Sequence, residues 1–148
     1  MHVLNIITIS SVGLMAGSEM AISAFVNPAL RRLENGPQAQ ALSILARSLG
    51  RVMPVWYGLC LALFALESFL HRHQTRVAAL LAATVIWIGV IVFSISALVP
   101  LNNRIASMDS AGPAPGWERD HRKWDLLHRA RILLLIVALL VVINALVA

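Results

Sequence analysis

Charge is scarce in this chain. Charged residues make up 13% of its 148 positions against 59% hydrophobic ones, a balance far from that of a soluble domain. The shortage excludes a water-soluble globular fold and points to the bilayer. Cysteine is nearly absent as well. The one cysteine, Cys60, can form neither an intramolecular disulfide nor a dithiol relay, which excludes the four-helix thiol oxidoreductases of membranes. Among Leu, Gly and Ala it reads as a small packing residue. Acids are rarer than bases, 7 against 12, yet no basic run stands apart from the apolar windows, so nucleic acid is not an expected partner.

The apolar windows are long. Val3–Val26, Val52–Leu70 and Val77–Val99 each suffice to cross a hydrocarbon core, which takes ~20 residues at ~1.5 Å each. Ile132–Ala148 is shorter and reaches full length if its helix begins a turn or more earlier. The expectation is an all-α integral membrane four-helix bundle with antiparallel up-down connections. It forms a single transmembrane domain over 1–148, with spans near 3–28, 52–70, 77–101 and 117–148, the last including a helical extension ahead of the membrane. The first window lacks a basic n-region and outruns an h-region, so it reads as a retained span and not a signal peptide.

Between the spans, Gln38–Leu49 has the period of a short amphipathic helix lying at the surface. HRHQTR is tight enough to make spans two and three a hairpin, and AGPAPG reads as a flexible or turn-rich breaker. Gly13 and Gly17 permit close helix approach, expected within the monomer more than between copies; a homo-oligomer stays open. Four crossings put the first and third connections on one side. That side carries Arg31, Arg32, Arg47, Arg51, Arg104, Arg119, Arg122, Lys123, Arg129 and Arg131, against Arg72 and Arg76 opposite. By the positive-inside tendency the former is cytoplasmic and the termini are outside, in an inner (plasma) membrane of bacterial type.

The polar residues inside this grease are the candidates for chemistry. WERDHRKWDLLHRAR, just before the last span, is charged at 8 of 15 positions. Wound as a helix it puts Trp117, His121, Trp124, His128 and Arg131 on one face, at steps of 4, 3, 4 and 3, and the other charges, Asp125 among them, mostly elsewhere. An aromatic belt with basic anchors is the plain alternative. Glu19 falls ~22 Å along the first helix, ~8 Å below the surface that carries the first and third connections, too deep to face lipid comfortably. It either forms a structural ion pair with Arg131 or Arg104 or belongs to a site. At Pro100 the helix loosens or ends, and Asn102, Asn103 and Arg104 follow, as caps or as ligands. Asn27, at the end of span one, joins the same membrane side. Glu67 is expected to reach the opposite interface, and His71 and His73 to be plain interfacial histidines.

At FVNPAL, VPLNNRIA and the spaced Trp117, Trp124, His128 and Arg131, the chain resembles the anthrone oxygenase-like family of small four-span membrane proteins. The resemblance implies oxygenation of an anthrone to an anthraquinone with molecular oxygen and no bound cofactor. Asn27, Asn102, Asn103, Arg104, Trp124, His128 and Arg131 match the family's polar motifs. An anthrone methylene is acidified by two rings and a vinylogous carbonyl, so the chemistry needs a base, donors for an oxyanion and a dry apolar pocket.

The expected roles follow. His128 is the base, with Glu19 orienting or replacing it; Arg104, Arg131, Asn102 and Asn103 hold the oxyanion; Trp117 and Trp124 are flat walls, with Asn27 and His121 contacting substrate. The leading reading is thus a membrane-embedded oxidoreductase acting on a lipophilic aromatic, anthrone-like or quinol-like molecule arriving from the lipid bilayer. A transition metal at Glu19, His121 and His128 is the alternative chemistry, weakened because i, i+7 on one helix separates the imidazoles by ~10.5 Å. The rival of another class is a non-catalytic protein, either a carrier of a small lipophilic ligand or an accessory subunit. Thr84, Ser94, Ser96 and Asn144 are too few at mid-depth for an aqueous path.

Overall fold

The computed structural model describes residues 2–108 and 115–147. They form four helices long and apolar enough to cross a membrane: α1 (His2–Leu30), α2 (Asn35–Leu70), α3 (Val77–Ala106) and α4 (Trp117–Val147). Each packs on its neighbour in sequence and α1 closes the ring against α4, with α3 on α4 the most extensive seam. This is the all-α antiparallel bundle of an integral membrane protein. Its outer faces present Leu14, Val55, Val85, Val92, Leu133 and Leu140, an apolar jacket that only lipid solvates. Of the AGPAPG segment, residues 111–114 lie outside the described residues; Pro115 and Gly116 form a turn in which Gly116 takes φ 81°, the left-handed region that glycine enters without a Cβ clash.

The longest helix far outruns the membrane. At 36 residues, α2 is roughly 54 Å long against a core of roughly 30 Å. The expected separate surface helix Gln38–Leu49 does not exist: it is the first half of α2, continuous with the span. Its apolar face is not at a lipid surface but packed, with Ala39, Leu42 and Ala46 against Ile105, Met108 and Trp117. The bundle therefore carries a second small core beyond the main one, which is built on Val12, Met15, Cys60, Phe64, Trp87 and Leu135. The site lies between the two.

Prolines do not end these helices. The Asn27 N–H bonds Ile22 O and the Val99 N–H bonds Ser94 O, so a π turn immediately precedes Pro28 and Pro100. A proline lacks the N–H for residue i−4 and crowds its carbonyl; the wider turn absorbs both problems and lets the chain continue. Of the two outcomes expected at Pro100 the helix loosens and does not end, since α3 runs on to Ala106. Such π bulges often mark functional sites. The Gly13/Gly17 expectation is also corrected. Gly17 is exposed, and a Cβ there would meet nothing within 4 Å, so it mediates no close approach inside the monomer.

Candidate functional site

Four side chains from three helices meet where the two cores join. Glu19 (α1) is 1% exposed, and its Oε2 accepts from Arg131 Nη2 (α4) at 2.7 Å. Its Oε1 accepts from the Tyr57 hydroxyl (α2) at 3.1 Å. Arg131 Nη2 also donates to His128 Nδ1 at 2.9 Å, while His128 Nε2–H donates to the Glu19 backbone carbonyl at 3.1 Å. These partners assign the ring as the neutral Nε2–H tautomer with its Nδ1 lone pair inward. Nδ1 lies 3.4 Å from Glu19 Oε2. One guanidinium thus bridges a carboxylate and an imidazole, and charge balances inside a medium that tolerates no unpaired charge.

Aromatic rings fix this cluster. Trp124 stacks on His128 with centroids 4.5 Å apart and planes 15° from parallel. Tyr57 is clamped by Trp87, whose Nε1–H donates to the Tyr57 carbonyl at 3.0 Å and whose ring lies 5.5 Å from the phenol. The Arg131 Cζ stands 5.7 Å above the Tyr57 ring, a cation over a π face.

Beside the cluster is a cavity of about 370 Å³, within the range of small-molecule sites, roughly 300–1,000 Å³. Glu19, Tyr57 and Arg131 form its polar wall, and Met53, Leu98 and Trp124 are among its apolar ones. It opens sideways between α2 and α3, because the lining residues Pro54, Gly58, Ile95 and Val99 are all exposed on the lipid face. Gly50, Pro54 and Gly58 recur every fourth residue and keep that side of α2 low. Asn102 and Asn103 sit at its polar end, and Asn102 Nδ2 donates to Ala46 O at 3.2 Å.

The residues anticipated from sequence therefore divide. Glu19, Arg131, Asn102, Asn103 and Trp124 line the cavity. His128 does not; it is wholly buried behind Trp124 and Arg131 with both nitrogens bonded. Arg104 points away, its side chain 69% exposed and 3.6 Å from Asp120. Trp117 packs in the second core, and Asn27 and His121 face a separate small hollow. Glu19, His121 and His128 do not gather as a ligand set: the Trp124 ring, near-parallel to both imidazoles, is interleaved with them along α4, and among the described residues no group of three such donors converges.

Three buried groups were not anticipated. Tyr57 carried no signal beyond being the sole tyrosine. Asp125, expected to point elsewhere, accepts from Asn27 Nδ2 at 2.9 Å, Arg31 at 2.8 Å and Arg129 at 3.0 Å. Glu67, expected at the far interface, is completely buried; it accepts from Thr8 at 3.0 Å and lies 3.4 Å from His71 Nδ1. His71 is thus a core residue and not an interfacial one, whereas His73 is exposed.

No curated protein and no solved structure matches this chain. A family model described as anthrone oxygenase matches residues 42–141. That stretch runs from within α2 to within α4, includes Tyr57, Trp124, His128 and Arg131, and leaves Glu19 outside it. It spans more than half of the sequence and contains three of the four clustered side chains, and the chain belongs to the anthrone oxygenase family.

Proposed function

We propose that the protein oxygenates a flat, lipophilic carbon acid of the anthrone class, with molecular oxygen as oxidant and no resident cofactor. The observation that carries this reading is an ion-paired carboxylate, Glu19, in the wall of an otherwise apolar cavity that opens toward lipid. A neutral aromatic molecule reaches that cavity from the bilayer without crossing water, and Trp124 offers it a flat face.

Glu19 is the group placed to take a methylene proton, because it reaches the cavity and His128 does not. The Glu19 proton then has a store 3.4 Å away at His128 Nδ1. Protonation there displaces the Arg131 N–H that now occupies the lone pair, freeing the guanidinium for the developing enolate oxygen. The resulting carbanion hands one electron to oxygen, and the two radicals join as a carbon-bound peroxide, which recovers the stored proton. The peroxide then loses its remaining C–H proton as its O–O bond breaks and releases hydroxide; the two leave as one water and the ketone remains. In sum one methylene and one O2 give one carbonyl and one H2O. His128 is here a positioning and proton-holding residue, and Arg131 the electrostatic one. The Lys and Arg bias supports a cytoplasmic orientation for this polar end.

The test is oxygen uptake by the purified protein in lipid nanodiscs with an anthrone as substrate. The expected result is one quinone formed per oxygen consumed, its new carbonyl labelled from isotopic O2. Saturable anthrone binding with uptake no faster than in empty nanodiscs would make the protein a lipophile carrier instead.

A further inference from the structure

We infer that a water-binding compartment at His121 joins the cavity to the polar face of the protein and lets product water out. His121 is 3% exposed and Asn27 1% exposed. Among the described residues, both ring nitrogens of His121 and Oδ1 of Asn27 are enclosed without a hydrogen-bond partner. Both side chains line a hollow of about 20 Å³. One water requires roughly 10–15 Å³ and two to four polar partners. The hollow meets the first condition, and Asn102, which lines it too, completes the second. A water accepting from the His121 N–H and donating to Oδ1 of Asn27 and of Asn102 satisfies three groups at once.

The position of the hollow gives the water a role. It shares Leu49, Asn102 and Trp124 with the large cavity, and it shares His121 with a third hollow that Arg31, Asp125 and Arg129 surround on the polar face. His121 therefore stands between an interior compartment and a solvated one. Oxygenation makes one water per turnover inside a cavity whose lateral mouth faces hydrocarbon, where water leaves poorly. The Asn102–Asn27–His121 route is the polar alternative. The origin of the water rests on the oxygenation reading; the compartment itself does not.

Deuterium exchange at the imidazole C2 position, read by mass spectrometry on the full chain in nanodiscs, tests the compartment without any turnover. His121 is expected to exchange as the exposed His73 does, and His128 to stay protected. Ala46→Val adds two methyl groups to a wall of the hollow and leaves the outer face of His121 free; the expected result is loss of His121 exchange toward the His128 level. Protection of His121 equal to that of His128 in the unaltered protein overturns the proposal, and so does unchanged His121 exchange in a folded Ala46→Val protein. Absence of oxygen uptake alongside the expected exchange would remove the reaction and leave the compartment standing.

Discussion

Arg131 Nη2 lies 2.7 Å from Glu19 Oε2, across 112 positions of sequence, with the two side chains 10% and 1% exposed. Each supplies the counter-charge that offsets the cost of burying the other. The pair ties α4 to α1 at the level where the cavity begins.

Arg131→Met therefore strands the Glu19 carboxylate. The expected cost is about 3–5 kcal/mol, as for removing one partner of a buried pair. Glu19→Leu with Arg131→Met recovers most of that stability, because no charge is left uncompensated, and recovers no activity. Thermal unfolding of the two proteins in one detergent checks the sign of the coupling.

Tyr57→Phe deletes the hydroxyl that donates to Glu19 Oε1 and keeps the ring against Trp87. Loss of a hydrogen bond to a charged acceptor costs about 1.5–3 kcal/mol. Oxygen uptake is expected to fall in kcat more than to rise in KM, since the phenol steadies the carboxylate and the apolar walls are untouched. Steady-state kinetics on the folded variant separates the two.

Gly58→Leu tests the lateral mouth. A Cβ at Gly58 meets nothing within 4 Å, so the larger side chain is accommodated, and replacing a mid-helix glycine by leucine stabilises the helix by up to about 1 kcal/mol. The expected outcome is a melting temperature equal or higher and a rise in KM for a lipophilic substrate. An unchanged KM places substrate access elsewhere.

Arg104→Gln is expected to do little. The guanidinium is exposed and its contact with Asp120 is 3.6 Å long, so stability changes by no more than about 0.5 kcal/mol and turnover stays. Activity assays with the Arg131 variants alongside show which arginine serves the cavity.

Much of this was legible in the sequence, for physical reasons that also mark its limits. The bundle followed from four apolar windows, and Glu19 from the cost of a carboxylate at that depth. The Trp124, His128 and Arg131 face followed from helical spacing. Asp125 was passed over although it lies four residues after His121 and three before His128, hence on the same face; its charge suggested solvent, and its partners Asn27 and Arg31 sit at the end of α1 and just beyond it. Arg104 and Arg131 looked alike because chain position alone does not say which guanidinium faces inward. Glu67 seemed near a helix end, yet Thr8 and His71 supply the contacts that let it stay buried. Nothing in a linear pattern distinguishes His128 in the cavity wall from His128 behind it, and that one-layer displacement is why the proposed proton-accepting role falls to Glu19.

The most direct test of that role is oxygen consumption with an anthrone by the Glu19→Gln protein, which keeps the shape and the Tyr57 contact and removes the base. The account predicts unaltered substrate binding and a loss of roughly 10²–10⁴ in turnover, the usual worth of a general base. A folded Glu19→Gln protein that binds the anthrone and oxidises it at the unaltered rate would contradict it.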